Sequence, residues 1–204
     1  MSLGGGNDRV VNRGAIGGAV LLGDGDDGFV EGPNGRVAGG VDGGMGTDTY
    51  TALLAGDRQG LGIRTGFERL AVEGTGTLSL TLDQGFEAAS LTGTGLSVAL
   101  NGFAIGRVAG SDGAERFAVD GDVASVSLGA GDDALALGTA RAAGRYDGGA
   151  GSDVLRFTAP GAVTLAGVAT GFEQVALAGG SLTVSGTLGS ANAPLAFDDG
   201  AQSL

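Results

Sequence analysis

The sequence contains no cysteine, no histidine and no lysine. Without cysteine there is neither a disulfide framework nor a thiol nucleophile. Without histidine as well, any catalyst would have to come from Asp, Glu, Arg, Ser, Thr and the two tyrosines. Only three prolines and 5% aromatic residues are present, which suits thin stacked coils better than a bulky core. No run of residues is long enough to cross a membrane as a helix, and the N-terminus has no basic and apolar signal region. All 11 basic residues are arginine, set against 23 acids, for a formal net charge of −12. Such a chain repels nucleic-acid phosphates and attracts divalent cations.

What is abundant is glycine, 45 of 204 residues, together with an apolar fraction of 42%. That apolar content argues against a disordered linker. The glycines interrupt every helical window, and between them apolar residues alternate at strand period. One stretch organises the rest: Gly43-Gly44-Met45-Gly46-Thr47-Asp48-Thr49-Tyr50, a glycine turn, one carboxylate and then a strand. It recurs at Gly148–Leu155, Leu128–Leu135, Leu22–Phe29 and Leu3–Val10, with a sixth version at Gly110–Phe117 that carries Glu115 in place of Asp. Glycine turns leave carbonyl oxygens bare for a cation, here at Gly6, Gly25, Gly46, Gly131 and Gly151. The neighbouring acids Asp24, Asp26 and Asp132 add hard oxygen ligands of the kind calcium takes.

These turns resemble the haemolysin-type calcium-binding nonapeptide of the RTX family, Gly-Gly-x-Gly-x-Asp-x-apolar-x. The resemblance implies a parallel β-roll with Ca2+ as the bound ion between successive turns. It places the ligand role on Asp8, Asp27, Asp48, Asp133 and Asp153, and on Glu115 at the sixth turn. Family nonapeptides run back to back, whereas the copies here recur only about every 20 residues, so a single metal-binding edge is expected. Thr47 and Ser152 stand where other copies carry an acid or amide, which predicts weaker or terminal sites at Asp48 and Asp153.

The same spacing continues without the aspartate at Gly66-Phe67-Glu68 and Gly85-Phe86-Glu87, and again at Gly171-Phe172-Glu173. In these coils Phe is expected to stack in the core and Glu to cap turn amides. Asp48 and Asp153 are 105 residues apart, as are Gly46 and Gly151, and Phe67 and Phe172. The chain therefore reads as an all-β, parallel β-solenoid (β-roll or β-helix), internally duplicated, with about 20 residues per coil. The first repeat spans 1–109, with calcium-type coils over 1–50 and metal-free coils over 51–109. The second spans 110–204, with calcium-type coils over 110–155 and metal-free coils over 156–204. Roughly ten coils at about 4.8 Å each give a rod about 50 Å long. Val10, Phe29, Tyr50, Phe117, Leu135 and Leu155 share the turn-following position and should form interior ladders.

Stacking brings like charges together. Two carboxylates about 5 Å apart repel by about 3 kcal/mol at an effective dielectric of about 20, so closure is expected to need a cation. Catalysis is not expected: the pairs Asp26-Asp27, Asp132-Asp133 and Asp198-Asp199 point to opposite faces of a strand and do not converge. The expected function is a non-catalytic, calcium-binding extracellular or bacterial cell-surface structural protein, such as an S-layer, filament or adhesin scaffold, that folds with calcium and associates with itself. The alternative is a calcium-dependent secretion and folding module of a type I-secreted hydrolase or epimerase. The tail Leu195–Leu204 is compatible with an uncleaved export signal, and Ala193 to Phe197 with pairing to a second chain.

Overall fold

The computed structural model describes residues 1–189 and 196–197. The described chain is a parallel β-solenoid with no helix, and every strand pairing is parallel. One sheet of ten strands runs from Arg9–Asn12 to Thr187–Leu188 and crosses both repeats without a break. A second, of eight strands, faces it from Arg58–Gln59 to Ala196–Phe197. Two shorter sheets complete the first coils: four strands, from Ser2–Gly5 to Arg64–Thr65, and two, Ala15–Ile16 and Arg36–Val37. A three-stranded sheet, Arg141–Ala142, Ala162–Leu165 and Ser181–Val184, does the same for the last coils. The solenoid is thus three-walled at both ends and two-walled in its middle.

Alternation explains the interior. In Thr49–Leu54, Tyr50, Ala52 and Leu54 are buried while Thr49, Thr51 and Leu53 are half-buried, as period-two side-chain placement requires. Neighbouring coils align their inward-facing residues in register. Val10, Phe29, Tyr50 and Leu70 form one ladder, and Phe117, Leu135, Leu155 and Val175 another, all buried except the half-buried Val10 at the first coil. Phe29 stacks on Tyr50 with ring centroids 5.9 Å apart, and Phe67 meets Tyr50 edge-on at 5.6 Å. Each coil buries its apolar face against its neighbours alone, so the fold stands on this repetition.

The two ladders do not share an edge, which corrects the expectation of one metal-binding side. The strand after Asp48 belongs to the ten-stranded sheet, and the strand after Asp153 to the eight-stranded one. The reason is the length of the repeat. Five coils carry Tyr50 through Leu70, Ala89, Val108 and Val126 to Tyr146, still in the ten-stranded sheet. Leu155, the residue 105 positions after Tyr50, then falls half a coil further, on the opposite wall. The duplication amounts to five and a half coils, so each element of the first repeat reappears one wall further round.

The carboxylate ladders of the glycine turns

In four of the glycine turns the aspartate falls just before the first residue of a strand, with the carboxylate turned inward. Asp27, Asp48, Asp133 and Asp153 are 3%, 0%, 1% and 0% exposed. In the first run, Asp27 Oδ1 accepts the Asp8 N–H at 2.7 Å, Asp48 Oδ1 accepts the Asp27 N–H at 2.7 Å, and Glu68 Oε2 accepts the Asp48 N–H at 2.8 Å. The second run repeats this: Asp133 Oδ1 takes the Glu115 N–H at 2.7 Å, Asp153 Oδ1 the Asp133 N–H at 2.8 Å, and Glu173 Oε2 the Asp153 N–H at 2.8 Å. Each carboxylate reaches back one coil and binds the amide of its own counterpart.

The other oxygen is left over. Oδ2 of Asp27, Asp48, Asp133 and Asp153 is buried and accepts no hydrogen bond. Native interiors satisfy nearly all such atoms, and a buried unpaired carboxylate oxygen is costly. For Asp48 this oxygen sits inside its own turn, where a Cβ added to Gly43 would come within 2.7 Å of it. The positive φ values of Gly44 and Gly46, 109° and 137°, shape that turn, and Gly149 and Gly151 repeat it at 100° and 147°.

Outside the buried ladder runs a second one of opposite direction, made by the residue just before each aspartate. Asn7 Oδ1 accepts the Asp26 N–H at 3.0 Å, Asp26 Oδ1 the Thr47 N–H at 2.8 Å, and Asp132 Oδ1 the Ser152 N–H at 2.9 Å. Asp26 and Asp132 therefore belong to the turns, on the exposed side, while the Asp24 side chain is exposed and makes no hydrogen bond among the described residues, so that only its carbonyl, accepting the Gly6 N–H at 2.7 Å, joins the turn. The glycine turns also bond directly to one another, Gly25 N–H to Met45 O and Gly131 N–H to Ala150 O, both at 2.8 Å. Glu115 is fully buried, but its longer side chain folds back onto Ser111, whose hydroxyl donates to Oε1. The sixth turn is closed by its own side chain and leaves no orphan oxygen.

Burial and like charge both act on these groups. Asp133 is pushed up to about 7, first by burial and then by the charges of Glu115 and Asp153, against the Glu115 N–H that lowers it. Asp48 and Asp153 are raised for the same reasons, burial first, with Asp27, Glu68 and Asp26 beside the former and Glu173, Asp132 and Asp147 beside the latter. Raised carboxyls mean that, without a cation, the folded chain holds protons the unfolded chain has already released. Stability must then fall as pH rises from about 4, the unfolded value, through about 7, by up to about 4 kcal/mol for Asp133 alone. Calcium-free protein should melt at a higher temperature at pH 5 than at pH 8 by circular dichroism; a higher melting point at pH 8 would contradict the assignment.

Glu68 and Glu173 are the ladder ends that reading the turns alone does not reveal. Their signal is the spacing, 20 residues after Asp48 and Asp153, and both do cap turn amides as expected. The Glu87 side chain, in the same Gly-Phe-Glu text, is exposed and caps no turn amide among the described residues; only its N–H bonds, to Glu68 O at 2.8 Å. Among the described residues no three or more acidic side chains converge as a ligand cluster, so a bound ion would need main-chain oxygens as well. Asp198 and Asp199 and most of the C-terminal tail lie outside the described residues. Comparison with family models, curated proteins and solved structures finds no match to this chain. Fold and turns together place it in a structural class, the glycine-turn parallel β-solenoids.

Proposed function

We propose that this chain is a non-catalytic, calcium-dependent structural scaffold of the extracellular space or a bacterial surface. The observation that carries the reading is the set of four buried carboxylate oxygens without donors, Oδ2 of Asp27, Asp48, Asp133 and Asp153. Hard anionic oxygens beside glycine-turn carbonyls are a donor set suited to calcium, which accepts six to eight oxygens in irregular geometry. Asp27, Asp48, Asp133 and Asp153 would hold the ions with those carbonyls, and Asp8 would complete the first rung. When bound, calcium supplies the positive charge that stacked carboxylates otherwise lack. The likeness of the turns to RTX nonapeptides supports the same reading.

Self-association through the solenoid ends belongs to this proposal. Among the described residues Ser2–Gly5 and Arg9–Asn12 are edge strands of their sheets, and an unpaired edge is a template for another chain. The direct hydrogen bonds between glycine turns favour a second reading, in which the turns close without an ion and the buried carboxyls stay protonated. Titrating calcium into chelated protein at pH 7.5 separates the two. Calcium is expected to raise the β signal in circular dichroism and the particle size in light scattering. Unchanged spectra through millimolar calcium would reject the calcium reading, and a folded monomer at high protein concentration would reject self-association.

A further inference from the structure

A cavity of about 850 Å³ opens where the two-stranded sheet of the first coils ends and the eight-stranded sheet begins. Its volume lies within the range of ligand pockets, about 300–1,000 Å³. Its charged lining is Glu31, Arg36, Asp57, Arg58 and Arg64, a net charge of +1 in a chain of net charge −12. Glu31 is fully buried and takes both arginines: Arg58 Nη2 at 2.7 Å, and Arg64 Nη2 at 3.0 Å to Oε2 and 3.1 Å to Oε1. The Tyr50 hydroxyl donates to the same carboxylate, and the Arg64 guanidinium lies 5.3 Å from the Tyr50 ring centroid.

Two donors remain beyond what Glu31 can absorb. Arg64 Nε is buried without a partner, in a side chain only 4% exposed. Arg58 bonds through Nε and Nη2, so Nη1 has no acceptor among the described residues, and this side chain is 21% exposed. The second repeat shows that the coils do not need these charges. At the equivalent positions of the second repeat, 106 residues on for Glu31 and 105 for the others, Glu31, Tyr50, Arg58 and Arg64 are replaced by Leu137, Leu155, Val163 and Ala169, all buried and apolar. Buried ion clusters are often no more stabilising than apolar residues of similar volume, so stability does not explain why one repeat keeps one.

We infer that this cavity binds a small organic monoanion, its carboxylate taken by Arg58 and Arg64 and its apolar body lying against Ile16, Leu61 and Ile63. A guanidinium pair recognises a planar carboxylate through charge-assisted bonds. The single surplus charge of the lining matches one carboxylate and disfavours a phosphate ester, which carries close to two. None of the ladder aspartates lines the cavity, so the inference is independent of the calcium proposal.

The test is a titration of the full-length, calcium-saturated chain with three probes of one shape, benzoate, benzamide and phenyl phosphate. It is read from the arginine side-chain N–H resonances of 15N-arginine-labelled protein. Benzoate is expected to shift the Arg64 Nε–H signal and to bind at least about tenfold more tightly than benzamide, with phenyl phosphate weaker than benzoate. Arg58→Met, at the more exposed of the two arginines, should cost about tenfold in benzoate affinity while leaving benzamide unchanged. The variant carrying Glu31→Leu, Tyr50→Leu, Arg58→Val and Arg64→Ala, which copies the second repeat, should fold and lose the preference for benzoate. Equal binding of benzoate and benzamide to the unaltered protein, tighter binding of phenyl phosphate, or no response of Arg64 would each overturn the inference, whatever the variants do.

Discussion

Asp133→Asn is expected to stabilise the calcium-free protein and to remove most of what calcium adds at the second ladder. The substitution keeps Oδ1, which caps the Glu115 N–H, and replaces the orphan Oδ2 with an amide. It thereby deletes a charge that burial and two like-charged neighbours push up to about 7. At pH 8 that relief is worth about 2–4 kcal/mol in the absence of metal, from the separation between the folded and ordinary carboxyl values. With calcium the sign reverses, because a neutral amide is a poorer ligand than a carboxylate. Asp133→Ala, by contrast, removes the cap too and should lose about 1–3 kcal/mol relative to the Asn variant in both conditions. Urea unfolding of the three proteins in chelator and in calcium gives the comparison. If Asn and Ala destabilise the calcium-free chain equally, the buried charge is not the burden described above.

The largest loss of stability is expected from Gly44→Ala and its counterpart one repeat later, Gly149→Ala. At Gly44 φ is 109°, and an added Cβ would stand 1.9 Å from the carbonyl oxygen of Gly23 in the coil before. At Gly149 φ is 100°, and the Cβ would stand 1.9 Å from the carbonyl oxygen of Gly129. The obstacle is backbone on both sides, so no rotamer change relieves it. Conformational strain of about 1–3 kcal/mol adds to the cost of prying two coils apart, and a total above about 3 kcal/mol is expected. Gly17→Ala serves as the control: its φ is not in the left-handed region and nothing lies within 4 Å of its added Cβ, so a change within about 0.5 kcal/mol is expected. Thermal unfolding checks both; a Gly44→Ala protein as stable as Gly17→Ala would mean that the turns do not stack as described.

The solenoid itself was legible because two signals agree in the sequence, strand-period alternation and a glycine turn about every 20 residues. The interior ladder through Val10, Phe29 and Tyr50 follows directly from that spacing. The placement of the second run did not follow, because coil length varies too much to count coils across the whole repeat. Ile105 pairs with Val123 in a short coil, whereas the coil that takes Tyr146 to its partner Ala169 holds several residues more. A mean coil length therefore leaves the half-coil offset unresolved, and the offset decides which wall receives Asp133 and Asp153. Glu115 was legible as a variant turn but not as a self-closed one, since only the fold brings its extra methylene back to Ser111. The Glu31 cluster left a readable trace. Glu31 follows Phe29 by two residues and so shares its inward face, a charged side chain where alternation demands an apolar one.

We propose that cations sit in two carboxylate ladders, on two walls of one solenoid. The most direct measurement is a crystal structure of the full-length chain grown in calcium, with anomalous data to locate the ions. The account predicts calcium peaks about 2.3–2.6 Å from the Asp27 and Asp48 carboxylates ahead of the ten-stranded sheet, and equally from Asp133 and Asp153 ahead of the eight-stranded one. Turns bonded directly to one another with no anomalous peak at any of the four aspartates would contradict it.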